Sequence, residues 1–258
     1  MTSFTAFILA NTRHGAMILN RFDQMDVGPG EAIGVGGEML AHGEYQAAEC
    51  DALAAIMALR RDAYGPGVVV LDVGANIGAH TCRWARACEG WGEVYAYEAQ
   101  ERVYYALAGN LALGNHFNAH ARHAAVGMVC GVMAIPQMRH TEHANFGGLH
   151  LMPTGRTPGQ SISYEQDLAD VEMLALDALN FARVDLIKID VEGMEVGVLK
   201  GAARTIQECC PVIYAEHAIA GLEDIQSALP GYVFLEPAGG ANVLCVHAHD
   251  PVLRVMRG

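Results

Sequence analysis

Val68-Val69-Val70-Leu71-Asp72-Val73-Gly74-Ala75-Asn76-Ile77-Gly78-Ala79-His80-Thr81 is the stretch that decides the fold. A continuous apolar run ends in an acid, a Gly-rich turn follows, and a helical pattern begins. Bounded by Gly65-Pro66-Gly67 on one side and by glycines on the other, the run reads as a strand buried on both faces, as in parallel sheets. Glycines allow a sharp turn and a close approach of backbone to ligand. The helix that follows offers unpaired N–H groups suited to a carboxylate or phosphate. The pattern is therefore a nucleotide-type site at the first strand of a doubly wound sheet.

The turn also narrows the ligand. A dinucleotide fingerprint is G-x-G-x-x-G/A, and its second glycine lets a pyrophosphate approach the backbone. Aligned on Gly74, that position holds Asn76 and the third holds Ala79. Gly74-Ala75-Asn76-Ile77-Gly78 better suits a ligand without pyrophosphate, such as the methionine end of S-adenosylmethionine. Asp72 is placed to organise the amine, directly or through water, and the helix start to receive the carboxylate. Glu93 to Glu98 reads as the next strand. Glu98 follows Gly78 by about 20 residues, the interval at which an acid meets ribose hydroxyls.

Composition sets outer limits. A chain of 258 residues, 52% of them hydrophobic, holds one domain or one domain with an extension and buries a sizeable core. The net charge of -13 argues against a broad nucleic-acid or anionic-membrane surface. The seven cysteines are odd in number and include no C-x-x-C, which reads as reduced thiols in a cytoplasmic protein. The N-terminus lacks the basic flank of a signal peptide, and no apolar run reaches membrane-spanning length.

Around the central stretch the chain is expected to begin with strands at Phe4 to Leu9 and Ala16 to Leu19. Turns are expected at Gly28-Pro29-Gly30 and at Gly34-Val35-Gly36-Gly37. Gly43-Glu44-Tyr45 opens a helical pattern that Gly65-Pro66-Gly67 ends. Residues 1–66 are thus a strand-rich N-terminal extension, and residues 67–258 the cofactor-binding domain. Helices are expected over Ile77 to Glu89 and Gln100 to Leu113, with a third strand at Ala119 to Val126. The period breaks from Val132 to Val171, and Arg139 to Gly159 reads as a functional lid or binding loop. An excursion strand over Val171 to Leu176 and a short helix capped by Asp177 come next. Val184 to Asp190 is the fourth main strand, followed by helix to about Gln207. Val212 to Glu216 is the fifth, Leu222 to Leu229 a helix, and Tyr232 to Glu236 with Asn242 to His247 close the sheet. This alternation defines an α/β protein with a seven-stranded, mainly parallel sheet.

Three blocks resemble the FkbM family of S-adenosylmethionine-dependent methyltransferases. They are Leu71-Asp72-Val73-Gly74-Ala75-Asn76-Ile77-Gly78; Val184 to Glu195 followed by Val198-Leu199-Lys200-Gly201-Ala202; and Pro211 to Glu216. Leu176-Asp177-Ala178-Leu179 and Gly43-Glu44-Tyr45 are similar as well. The second block is the specific one. The resemblance spans roughly residues 43 to 217 and implies a class I methyltransferase (Rossmann-like) fold. It also implies O-methylation of a small-molecule or sugar hydroxyl, with Glu44 and Tyr45 reaching over the cofactor.

Ligands of open parallel sheets lie beyond the carboxyl ends of the strands. Asp72, Glu98, Asp190 and Glu216 each end an expected strand, so they should gather at one rim. The expected cofactor contacts are Asp72, Gly74, Asn76, Gly78, Glu98, Asp190 and Glu44, with Ala125 and Val126 against the adenine. Methyl transfer depends mainly on in-line alignment, and a base beside the acceptor assists it. Asp190, His217 and His143 are the candidates for the catalytic side. Glu192 fits either the site or the start of a helix, where an acid suits the dipole. No metal is expected: the rim could hold Mg²⁺, but no spacing demands it, and period 2 puts His120 and His123 on opposite faces of a strand. The expected partner is a small-molecule or glycosidic acceptor, and the extra N-terminal strands offer a surface for a homo-oligomer. A nicotinamide-dependent oxidoreductase on a similar sheet, disfavoured by Asn76, and a non-catalytic binding protein of the same fold are the alternatives.

Overall fold

The computed structural model describes residues 5–28, 31–153, 158–235 and 240–257. Two antiparallel hairpins come first, β1 (Phe7–Thr12) with β2 (Gly15–Asn20) and β3 (Met25–Gly28) with β4 (Glu31–Ile33). Two helices follow, α1 (Val35–His42) and α2 (Ala47–Tyr64). The doubly wound part runs β5 (Val68–Val73), α3 (Ala79–Ala87), β6 (Gly92–Glu98), α4 (Glu101–Leu113), β7 (Ala119–His123). An excursion of β8 (Ala125–Val126), β9 (Gly131–Pro136) and β10 (Leu168–Leu174) makes a separate small sheet ordered β8-β10-β9. The chain returns through a short 3-10 turn, Leu176–Leu179, to β11 (Leu186–Ile189), α5 (Glu195–Gly201), α6 (Ala203–Cys209), β12 (Val212–Glu216) and α7 (Leu222–Ala228). It closes with β13 (Tyr232–Leu235), β14 (Asn242–His247) and α8 (Pro251–Arg257).

The main sheet has seven strands in the order β13-β14-β12-β11-β5-β6-β7. All are parallel except β14, which runs against both β12 and β13. The chain order reverses between β5 and β11, which sit side by side in register from Val70↔Leu186 to Val73↔Ile189. That reversal opens a crevice at their carboxyl ends. Both faces of these strands are buried, as the apolar runs require. On one face Leu71, Val73, Ile187 and Ile189 pack with Val198 and Leu199 of α5. On the other, Val68 and Val70 meet Leu53, Ile56 and Met57 of α2 and Trp84 of α3. Each such fully buried side chain contributes about 1.5–3 kcal/mol.

Several expectations shift in detail. The first hairpin turns at Arg13-His14, so both strands run further than expected. The expected third strand divides after His123, because Ala125 and Val126 leave the main sheet to pair with β10. The helix after Asp190 breaks at Ala202. Asp177 lies inside its own short turn and caps α6 instead, accepting the N–H groups of Arg204 (2.9 Å) and Thr205 (2.8 Å). Gly34 to Gly37 is not a turn: Val35 opens α1. Phe4, Pro29-Gly30 and Glu236 lie outside the described residues. Among those described, no helix is long and apolar enough to cross a membrane.

At the amino ends of the strands, buried Arg60 on α2 donates to Asp185 (3.1 Å) and pairs with Asp250. Asp185 also accepts the Val69 N–H (3.0 Å) and pairs with Arg183 (2.7 Å). This charged cluster ties α2, β5, β11 and the segment before α8 together at the edge opposite the crevice.

Candidate active site

A cavity of about 300 Å³ opens at the carboxyl ends of β5, β6 and β11. Its floor is the turn after β5. The N–H groups of Gly74 and Ala75 both donate to Tyr97 O (3.0 and 2.9 Å), stitching the turn to β6. Asn76 holds a left-handed backbone (φ 51°) and donates its N–H to Glu98 Oε2 (2.9 Å). Gly74 has φ 83°, and a Cβ there would lie 1.8 Å from Asp190 O. The two carboxyl ends can meet this closely only because residue 74 has no side chain. The donors of this turn are therefore satisfied within the protein. Those at the start of α3, on Ala79 and His80, line the cavity and take no acceptor among the described residues. His80 adds a buried ring whose Nε2, 3.4 Å from Glu49 Oε1, makes no hydrogen bond.

Glu98 stands in the wall, 6% exposed, with Asn76 N–H on one oxygen and Gln100 N–H (2.8 Å) on the other. Burial lifts its carboxyl to about 7, against the pull of those two donors. Ala125 and Val126 line the apolar part beyond it, with Leu149 and Leu151. Lys188 is a buried cation in the middle of β11. It donates to Asp190 Oδ2 (3.1 Å) and Gly74 O (3.4 Å) and lies 3.9 Å from Asp72 Oδ1. Burial acts to lower its pKa, but Asp190 and Asp72 outweigh burial and hold the ammonium well above the usual lysine range. Lys188 therefore stays charged and pairs with Asp190.

The upper wall comes from two distant segments: Ile33 to Val35, and Asn145 with Gly147. Asp23 fastens them together. Its buried carboxylate accepts the N–H groups of Gly36 (2.8 Å) and Phe146 (2.9 Å). Burial raises this carboxyl to about 6. Tyr45 closes the side, edge-on to His80 at 5.8 Å, with burial pushing its phenol far up.

Of the residues expected at the site, Gly74, Asn76, Glu98, Ala125, Val126 and Asp190 line one cavity. Five others do not. Asp72 is fully buried beneath the turn, where it accepts the Thr81 hydroxyl (2.6 Å); it supports the floor and Lys188. Gly78 makes room for α4, since a Cβ there would meet Leu107 Cδ1 at 2.6 Å. Glu44 pairs with Arg13 (3.0 Å) outside the cavity, which leaves the reach inward to Tyr45. His143 is exposed and packs edge-on against Phe22. His217 is fixed by its backbone to Ala241 O (2.8 Å), with its ring outside the cavity wall.

The residues the pattern did not single out are Lys188, His80 and His150. A lone lysine inside Leu186-Ile187-Lys188-Ile189 was a readable signal, because a buried charge requires partners. Buried His150 places Nδ1 3.0 Å from Glu192 O and Nε2 3.8 Å from Glu192 Oε2. Glu192 itself lines the cavity in a left-handed conformation (φ 53°). The carboxylate oxygens of Asp190, Glu192 and Glu216 come within 4.8 Å of one another, close enough to share a proton or a cation.

A seven-stranded sheet in this order, with a cavity at the carboxyl end of its first strand, defines a Rossmann-like α/β fold of the methyltransferase kind. Residues 72–236, more than half of the chain, match the methyltransferase FkbM domain, and the chain belongs to that family. Among solved structures it is similar to methyltransferase FkbM from Methylobacillus flagellatus KT, at 17% identity over 70% of this chain and 44% of that one (TM-score 0.47). It is also similar to monomeric WbdD, at 12% identity over 83% and 45% (TM-score 0.50). Magnesium protoporphyrin IX methyltransferase ChlM from Synechocystis PCC 6803, solved with bound SAM, shares 13% identity over 78% of each chain (TM-score 0.43). At these identities the likeness is one of fold. The chain spans less than half the length of the structures first matched. No curated protein matches it.

Proposed function

We propose that this chain is an S-adenosylmethionine-dependent methyltransferase acting on a hydroxyl of a sugar or other small molecule. The observation that carries the reading is the cavity after β5. It joins a glycine-walled floor, unpaired helix donors, the Glu98 carboxylate at the end of β6 and an apolar end at Ala125-Val126. The family membership points the same way. When bound, the cofactor supplies a methyl group on a sulfonium, already activated for displacement.

The protein's own task is to hold and orient. Ala79 and His80 N–H groups at the positive end of α3 suit the ligand carboxylate. Asp190, paired with Lys188, suits the ammonium. Glu98 accepts from the ribose diol, and Ala125 and Val126 cover the adenine. Tyr45 and the Asp23-fastened upper wall exclude water, which strengthens each of these contacts. Little covalent help is needed, since alignment supplies most of the rate. Isothermal titration calorimetry with S-adenosylhomocysteine tests the reading. We expect one-to-one binding that Asp190→Ala abolishes; an intact, folded protein that does not bind refutes it.

A further inference from the structure

Taking the methyl-transfer reading as its basis, we propose that Glu192 is the base that receives the acceptor's hydroxyl proton, and that His150 is the positioning residue that holds it. The argument starts from the other ionisable groups of the cavity. Asp190 is already engaged by Lys188 at 3.1 Å. Both oxygens of Glu98 carry backbone N–H groups. His80 lies against Glu49. Beside the cavity, Glu195 is buried and occupied by the N–H groups of Val191 and Gly193 (3.1 Å each), which closes the turn after β11. His143 and His217 do not reach the wall. Glu192 lines the cavity next to Asp190 and accepts no backbone N–H among the described residues.

Its surroundings favour a base that works near neutrality. Glu216 on β12, Asp190 at the end of β11 and Glu195 at the start of α5 face Glu192 with like charge. Lys188 opposes them, and the His150 ring stands 3.8 Å away. Burial, followed by those three carboxylates, raises Glu192 to about 8. A base with a pKa close to the working pH is the most effective one. His150 touches residue 192 at both its backbone carbonyl and its carboxylate, fixing the left-handed turn that aims the side chain.

The step balances as follows. The acceptor oxygen uses a lone pair to form the new C–O bond with the methyl carbon. The C–S bond breaks with its electron pair going to sulfur, so the sulfonium becomes a neutral thioether. The hydroxyl proton moves to a Glu192 carboxylate oxygen and later leaves to solvent.

Two measurements on the full chain test this. Carbon-13 NMR of protein labelled at the glutamate carboxyl carbons should show one resonance titrating near 8. It should vanish in Glu192→Gln and move toward the ordinary carboxylate range in His150→Gln. Transfer of radiolabelled methyl from S-adenosylmethionine to a pool of methyl glycosides and nucleotide sugars should rise with pH through about 8. Glu192→Gln should lower that rate at least 100-fold and flatten its pH profile. His150→Gln should shift the profile rather than abolish the rate. A Glu192 midpoint near ordinary carboxylates overturns the proposal, whether or not the pool contains an acceptor. So does a Glu192→Gln protein with unchanged rate and profile, or an activity that EDTA removes and Mg²⁺ restores, since the acids would then be holding a cation. Wild-type protein that fails to bind S-adenosylhomocysteine overturns instead the methyl-transfer reading on which this rests.

Discussion

Replacing Gly74 by alanine tests the floor of the site most directly. The residue has φ 83°, and an added Cβ would sit 1.8 Å from Asp190 O and 2.9 Å from Asp190 C. Carbon atoms settle at about 3.5 Å or more from such neighbours, so the carbonyl must retreat by roughly 1.5 Å. It cannot swing aside like a side chain, because the Asp190 N–H is bonded to Val73 O (3.0 Å). A left-handed alanine costs about 1–2 kcal/mol, and forced overpacking adds about 1–3 kcal/mol. Gly74→Ala should therefore lose about 2–5 kcal/mol. Gly90→Ala supplies the control: it has a similar φ of 78° with nothing within 4 Å, so only the backbone cost of about 1–2 kcal/mol applies. Gly78→Ala should fall between them, because the atom it meets is the end of the Leu107 side chain, which can move. Urea unfolding read by linear extrapolation gives the three values, and calorimetry with S-adenosylhomocysteine should show Gly74→Ala binding weakened more than tenfold. Equal losses at residues 74 and 90, or a Gly74→Ala protein within 0.5 kcal/mol of wild type with unchanged affinity, would refute the reasoning.

Three further outcomes follow from other parts of the molecule. The ribose acceptor role needs Glu98 ionised, and burial lifts it to about 7; S-adenosylhomocysteine affinity should fall as pH drops through 7, and Glu98→Gln should weaken binding by about 10–100-fold and remove that pH dependence, both read by calorimetry. Arg60→Ala leaves buried Asp250 without its guanidinium and Asp185 with Arg183 alone and should cost about 3–5 kcal/mol; affinity at the opposite edge should stay unchanged, and a large loss of affinity in a folded protein would contradict this placement. Asp23 is raised from 3.8 to about 6 by burial: the folded state favours its protonated form, so its contribution is full below 3.8 and is lost as pH climbs through 6. Asp23→Ala should flatten that part of the stability–pH curve measured by thermal unfolding.

The main sheet was legible because its strands are buried on both faces. Val212–Glu216 has the bounds read for it, and Val68–Val73 runs one residue past the acid that ends its apolar run. α4 was equally plain, since its buried positions Val103, Ala106, Leu107, Asn110 and Leu111 keep helical spacing. What periodicity hid was decided by contacts far along the chain. Gly36 reads as turn chemistry, yet it sits in α1, where a Cβ would lie 2.3 Å from Asn20 O; the glycine serves close packing against β2. In the site, Gly74, Asn76 and Glu98 could be read from a short motif and a spacing. The position of Asp72 was not readable, because a strand-end acid can point either way, and here Thr81 and Lys188 draw it beneath the floor. The histidines of the irregular segment could not be told apart for a related reason. Exposed His143 and buried His150 occupy the same irregular segment, and only tertiary packing tells them apart.

The carboxylate of Asp23 grips backbone from two stretches more than a hundred residues apart, and both of them arch over one hollow. The early stretch lies ahead of the part of the chain that matches the family domain. A fragment trimmed to that match would lose the early arch and its clasp, together with the first four residues of the central strand. Grafting this hollow onto another scaffold would accordingly require moving both arches together with their shared clasp.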